Sequence, residues 1–393
     1  MFKIVMLAPV NFLRSYSGFQ YLADFLYKEG FQIEVYAQVP SSQMEEAEKL
    51  PYPVYSSHAG LLGKIPKVRH LIFRNRIKNA LNSCDAVILN TTSPLGYFKE
   101  CVEFKKQFPK KTFIQYCTEL WIPGEQSRYS KKDRDFFLNH ANSADLIIDV
   151  EPNRALVRKE YFNINKNIEI IPNTLPSVAQ EQEKVLFDFK KRCNIDIKNN
   201  QKVVLYTGQL SSSSFQEISE ILASTSKDTI LIWFAHGSQN LIDEARNKIS
   251  KIKDGGTIYI CDPIPRSELI SIMHQADAGL INYAYSHTNN INLKYAAPTK
   301  LYEYISAGLP IVSYGNPSIK ALVEKHDLGI CSPEDNPAAL GDSINQLFDR
   351  DDFFSLKKHV KDVFVNKLCY EESAKNAIDV IQSVLLMSKS DNK

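Results

Sequence analysis

The chain has 393 residues, enough for two domains of ordinary size, each with its own hydrophobic core. Hydrophobic residues make up 44% and charged residues 23%, which excludes a disordered or fibrous chain and fits a soluble globular one. Lys and Arg number 47 against 45 Asp and Glu, so the net charge of +2 gives no reason to expect a nucleic-acid partner.

The first half alternates short β-branched runs with amphipathic stretches. Strands are predicted at 3–7, 32–36, 86–89, 112–116, 146–149 and 168–171, with helical patterns at 19–28, 97–108 and 131–142. Runs apolar on both faces imply parallel sheets covered by helices. The pattern breaks near 172–177 and restarts with strands at 203–207, 230–234, 258–261, 279–281 and 311–314. The expected domains are 1–175 and 176–369, followed by a helix and tail, 370–393, that stays on the second domain or crosses back to the first. Each half reads as a doubly wound α/β domain, and such sheets bind ligands beyond the carboxyl ends of their strands.

Seven cysteines, Cys84, Cys101, Cys117, Cys193, Cys261, Cys331 and Cys369, show no zinc-site or redox-pair spacing. A dispersed, odd set reads as reduced thiols, and the N-terminus lacks the features of a signal peptide. No uncharged apolar run is long enough to span a bilayer. The expected location is the cytoplasm. One stretch at 64–78 (KIPKVRHLIFRNRIK) carries Lys64, Lys67, Arg69, Arg74, Arg76 and Lys78 among apolar residues. It reads either as a helix lying on the anionic inner face of the plasma membrane or as the solvated face of a core-packed helix.

Residues 298–312 (PTKLYEYISAGLPIV) hold the strongest chemical signal. Pro298 stops the preceding segment, and Thr299 is predicted as the N-cap. Leu301 and Ile305 lie on one helical face, with Thr299 and Glu303 on another. Gly308 is the expected left-handed C-cap, followed by Pro310 and a buried strand. A helix N-terminus with Lys300 beside it suits a phosphate, and Glu303 one turn deeper suits ribose hydroxyls. The competing reading is a routine capped helix between two strands.

The same residues resemble the donor-binding helix of retaining glycosyltransferase family 4, in a variant that begins Pro-Thr-Lys. The resemblance implies a GT-B fold: two Rossmann-like, doubly wound domains facing across a cleft. It places Glu303 at the ribose of a nucleotide-sugar donor, with Thr299 and Lys300 at the diphosphate. A second family glutamate, at the donor sugar, is replaced here by Tyr295. Residues 203–210 are similar to the strand and turn that open the family's nucleotide domain. Gly208 matches, but Gln209 stands in place of an arginine, and the serines at 211–214 supply no lysine. His236 and Gly237 take the family's glycine turn. Asp262 and Ile264 fall in its base-binding loop, where Asp262 equally suits a turn before proline. In the first domain the resemblance puts Arg14, Ser17 and Gly18 in an acceptor-side loop and Glu119 at the family's catalytic acid or histidine.

A transfer of this class needs no resident cofactor or metal. The partners it implies are a nucleotide-sugar donor and a glycan or lipid-linked acceptor, in polysaccharide or glycoconjugate synthesis. Two other readings use the same residues. A sugar-nucleotide epimerase on the same fold would use Glu119 and His236 for proton transfer. A non-catalytic glycosyltransferase-like binding subunit would need neither.

Overall fold

The computed structural model describes the chain except for residues 1, 9–11, 16, 57–65, 91–104, 121, 123–140, 178–186, 250–254, 287 and 391–393. The chain divides into two compact units, Met1–Asn173 with Tyr370–Lys393, and Thr174–Cys369. The helical patterns at 97–108 and 131–142 fall largely outside the described residues.

The described residues of the first unit form seven strands: β1 (Lys3–Ala8), β2 (Gln32–Ala37), β3 (Val54–Ser56), β4 (Ala86–Asn90), β5 (Thr112–Cys117), β6 (Leu146–Asp149) and β7 (Ile168–Ile170). Their order is β3-β2-β1-β4-β5-β6-β7, and every pairing is parallel. β4, β5 and β6 are buried at every position, which is why their sequences are unbroken apolar runs rather than alternating ones. The Tyr370–Ser390 helix packs here: the Tyr370 ring meets Tyr21 and Phe25 at 5.7 and 6.3 Å, and Asn376 donates to Glu169 at 2.7 Å. The Pro66–Ser83 helix buries Phe73, Ile77, Ala80 and Leu81, while Arg74, Arg76 and Lys78 are exposed. Lys64 and the side chains of Lys67 and Arg69 lie outside the described residues. No described helix is long and apolar enough to cross a membrane.

Among its described residues the second unit has six strands: β8 (Lys202–Gln209), β9 (Thr229–His236), β10 (Thr257–Cys261), β11 (Ala278–Ile281), β12 (Ile311–Ser313) and β13 (Gly329–Cys331). They run parallel in the order β10-β9-β8-β11-β12-β13. The order reverses between β8 and β11, the switch point at which open α/β sheets form a crevice. The core centres on fully buried Trp233, whose indole N–H donates to the Gly208 carbonyl at 3.2 Å.

The strands missed in the sequence, β3 and β13, are three-residue edge strands with partly exposed positions, like β7, but without the isoleucine-rich run of 168–171 that marks β7. One close approach governs the centre of the second sheet. Gly279 of β11 lies flat against the fully buried Tyr304 ring, and a Cβ on Gly279 would collide with that ring. Gly279→Ala is therefore expected to cost about 1–3 kcal/mol through overpacking, read as a lower denaturation midpoint for the second unit.

Candidate functional site

At the carboxyl end of β8 the chain turns sharply. Gly208 pairs with Ala235 and Gln209 with His236, and the Leu210 N–H donates to the His236 carbonyl at 2.8 Å. Gly208, Gln209, His236 and Gly237 are thus brought to one edge of the sheet. A Cβ on Gly208 would lie 2.8 Å from the Tyr206 hydroxyl, so a glycine leaves that ring its place. The serines that follow make a reciprocal capping box: Ser211 Oγ accepts from the Ser214 N–H at 3.1 Å, and Ser214 Oγ from the Ser211 N–H at 2.8 Å. Both hydroxyls serve the start of the Ser212–Ala223 helix.

The Thr299–Ser306 helix differs from expectation at its start. Its N-cap is Pro298 (φ −75°, ψ 131°), no side chain caps it, and Thr299 is the first helical residue. The proline's fixed φ suits an extended cap position and displaces the threonine into the helix. The cap position therefore offers the first turn no side-chain acceptor, and the Leu301 N–H donates to the Pro298 carbonyl at 3.1 Å. Leu301 and Ile305 are buried and Glu303 is half-buried. The end is as the sequence indicates: Gly308 is left-handed (φ 77°), and the Gly308 and Leu309 N–H groups return to the Ile305 and Tyr304 carbonyls at 3.0 Å each.

Two residues one turn apart dock this helix on β8. The Lys300 ammonium donates to the Thr207 carbonyl at 3.1 Å, and the Tyr304 hydroxyl accepts from the Thr207 N–H at 3.0 Å. The ammonium also lies over the rings of Tyr206 and Tyr283, 4.5 and 5.1 Å from their centroids. Burial pulls the Lys300 pKa down to about 7, while the Glu303 and Glu217 carboxylates oppose the fall. Glu217, on the Ser212–Ala223 helix, accepts from the Tyr314 hydroxyl at 2.8 Å and the Asn282 amide at 3.2 Å. Burial pushes its carboxyl above the usual range, against those two hydrogen bonds. The sequence reading assigned nothing to Glu217, Asn282, Tyr206 or Tyr314, because only the fold brings them beside Lys300.

Around this centre, Tyr295 is half-buried at the C-cap of the Ile291–Lys294 helix, with the Lys294 ammonium 5.7 Å from its ring centroid. Asp262 is exposed just beyond β10 and ion-paired to Arg246 at 3.0 Å, and Ile264 packs partly buried against the core. The sequence contains two Asp-x-Asp pairs. Asp133 and Asp135 lie outside the described residues, while Asp349 and Asp351 flank Arg350 on an exposed turn where Arg350 binds Asp327 and Asp352. No described group of three or more His, Cys, Asp or Glu side chains could hold a metal ion.

In the first unit, Gly18 lies in the Ser17–Lys28 helix, where a Cβ would stand 2.9 Å from the Tyr116 hydroxyl. Arg14 falls in the short Phe12–Ser15 helix; its side chain and that of Ser17 lie outside the described residues. Glu119 follows β5 and belongs to a charge network that the sequence reading did not foresee. Arg154 and Arg158, both 5% exposed on the Pro152–Tyr161 helix, donate to the Thr118 and Glu119 carbonyls at 3.0 Å each. Arg158 also donates to fully buried Asp149 at 2.8 Å, and Arg154 lies 3.5 Å from the Glu119 carboxylate. Burial raises the Glu119 pKa, with Arg154 as the largest opposing influence. Glu151 caps the helix by accepting from the Arg154 N–H at 2.7 Å.

No protein-family model matches the chain, and no curated protein sequence matches it. Solved structures do. The Anabaena protein HepE, in complex with UDP and glucose, superposes with a TM-score of 0.68 at 13% identity, covering 98% of this chain and 100% of that one. A glycosyltransferase from Rickettsia africae gives 0.70 at 12%, covering 98% of each chain. Sucrose-phosphate synthase from Thermosynechococcus elongatus gives 0.66 at 12%, covering 98% and 100%. At these identities the likeness shows the fold. With its two parallel α/β units, the chain has the GT-B architecture.

The first-unit network makes its own prediction. Arg158→Met strands the Asp149 carboxylate in the core and is expected to cost about 3–5 kcal/mol, read as faster amide hydrogen exchange in β5 and β6. Exchange there at the native rate would mean that Asp149 does not depend on Arg158.

Proposed function

We propose that the chain is a retaining glycosyltransferase of the hexosyltransferase class, related to glycosyltransferase family 4 through the Pro-Thr-Lys variant of the donor helix. It moves a sugar from a nucleotide-diphosphate-sugar to a glycan or lipid-linked acceptor, in polysaccharide or glycoconjugate synthesis. One observation carries the reading: the Gly208–Gln209 turn, the Lys300 ammonium and a helix N-terminus without a side-chain cap meet at the switch point of the second sheet.

In this reading the first-turn N–H groups near Thr299, together with Lys300, take the diphosphate, and Glu303 takes the ribose hydroxyls. His236, Gly237 and the Gly208–Gln209 turn line the donor, Asp262 and Ile264 neighbour the base, and Tyr295 stands at the transferred sugar. Glu119, with Arg14, Ser17 and Gly18, serves the acceptor in the first unit. As the bond to the sugar breaks, charge grows on the departing diphosphate. The helix end and Lys300 are already oriented to stabilise it, so the step needs no metal ion. The exposed Arg74, Arg76 and Lys78 on the Pro66–Ser83 helix support a peripheral contact with anionic headgroups at the inner membrane face.

A thermal-shift panel of UDP-, GDP-, ADP- and dTDP-sugars is expected to give one base a clear rise in melting temperature, because a ligand bound to the folded state stabilises it. Glu303→Ala should abolish that rise while the melting temperature of the free protein stays close to native. A flat panel with the native protein sinks the reading. Sugar transfer should also persist in excess EDTA, and activity lost to EDTA and restored by manganese would count against metal-independent chemistry.

A further inference from the structure

Behind Lys300 lies a polar chain that the proposed function leaves unused. Glu217 is half-buried on the Ser212–Ala223 helix, and its two oxygens are held separately. Oε1 accepts from Tyr314, just beyond β12, and Oε2 from Asn282, just beyond β11. Two adjacent strand ends thus fix one carboxylate. The residue after Asn282 is Tyr283, and the Lys300 ammonium lies over its ring at 5.1 Å and over the Tyr206 ring at 4.5 Å. The contacts run from Lys300 to Tyr283, whose chain neighbour Asn282 donates to Glu217, and on to Tyr314, across the reversal between β8 and β11. A carboxylate withdrawn from water in this way is costly unless a counter-charge and hydrogen bonds offset it.

We infer that Glu217 is a positioning residue of the donor site: by holding Asn282 it fixes the adjoining Tyr283 ring under the Lys300 ammonium at the turn after β8, and it supplies negative charge facing that ammonium. The inference rests on the reading of this site as the diphosphate site. The groups facing Lys300 are Tyr206 of β8, Glu217 of the Ser212–Ala223 helix, Tyr283 beyond β11, and Glu303 and Tyr304 of its own helix. Asp335 and Glu220 face Glu217 and oppose its ionisation. The ammonium charge is complete at low pH and is lost as pH rises through about 7. Affinity for a diphosphate should fall over the same range. Removing the Glu217 charge removes support for the ammonium, so the loss should begin at lower pH.

The test uses the full chain labelled with carbon-13 lysine, the Lys300 resonance being assigned by its disappearance in Lys300→Arg. In Glu217→Gln the Lys300 midpoint is expected to fall by roughly one pH unit. UDP-glucose, whose diphosphate does not itself titrate near neutrality, should then bind roughly three- to tenfold more weakly at about pH 7.5. Lys300→Arg, which keeps its charge, should bind UDP-glucose evenly between about pH 6 and about pH 8, with Glu or Gln at position 217. If Glu217→Gln fails to fold, Glu217→Met removes the same charge and leaves an apolar group of similar size. An unmoved Lys300 midpoint in the folded variant overturns the inference. A moved midpoint in a protein whose native form binds no nucleotide-sugar leaves Glu217 in its role and overturns the donor reading instead.

Discussion

The Thr207 peptide is gripped from both ends by one helix, and the second unit's site is organised around that grip. Tyr304 takes its N–H and Lys300 its carbonyl, and the two residues are four apart on a helix whose other face is buried through Leu301 and Ile305. Tyr304 can reach only because Gly279 leaves room for its ring against β11. The helix is therefore registered to β8 by hydrogen bonds as well as by apolar packing. Its N-terminus is fixed at the turn where the chain leaves the sheet. A lysine that floated in solvent would offer only a screened charge. Packed against two tyrosine rings and a carbonyl, it becomes part of the frame, at the cost of a depressed pKa.

The first unit fixes the end of β5 differently. The loop after β5 is held by two buried guanidiniums that donate to the successive carbonyls of Thr118 and Glu119. Those arginines are themselves compensated by Asp149, Glu119 and Glu151. Planar, multi-donor arginine suits this work, because one side chain can bind a carbonyl and a carboxylate at once, as Arg158 does. The Glu119 carboxylate is thus held in place, half-buried, beside a cation that keeps its proton affinity from rising further.

Much of this architecture was legible in the sequence. Central strands buried on both faces leave continuous β-branched runs, and with the edge strands β7 and β10 eleven of the thirteen described strands stood out. The two missed are three-residue edges. The Gly308 cap was legible because a left-handed residue followed by proline has few alternatives. The start of that helix was misassigned by one residue: a threonine after a proline reads as a cap, whereas the proline itself takes that position. Lys300 and Glu303 were accessible because their meaning is local to one helix. Glu217 was not, since its partners Asn282 and Tyr314 lie 65 and 97 residues away. The arginine network left a faint trace, two cations four apart on one helix, but surface helices carry the same spacing routinely.

Two helices begin near the turn after β8, and they treat their first N–H groups in opposite ways. The Ser212–Ala223 helix closes its N-terminus with a capping box between Ser211 and Ser214. The Thr299–Ser306 helix starts from a proline with no side-chain cap. Under the proposed reading this asymmetry directs an anion to the second helix, because its cap residue has no side chain to compete with the anion. The arginine and lysine that the resemblance leads one to expect, absent at Gln209 and among the serines at 211–214, would belong to the turn and helix start that have closed themselves. Positive character is concentrated instead on one helix end, of about half an elementary charge, and on one lysine whose ammonium faces Glu217 and Glu303. A site so balanced holds little net charge until the diphosphate arrives. Its response to a neutral substitution among those carboxylates should then be felt through Lys300 rather than by direct contact with the ligand.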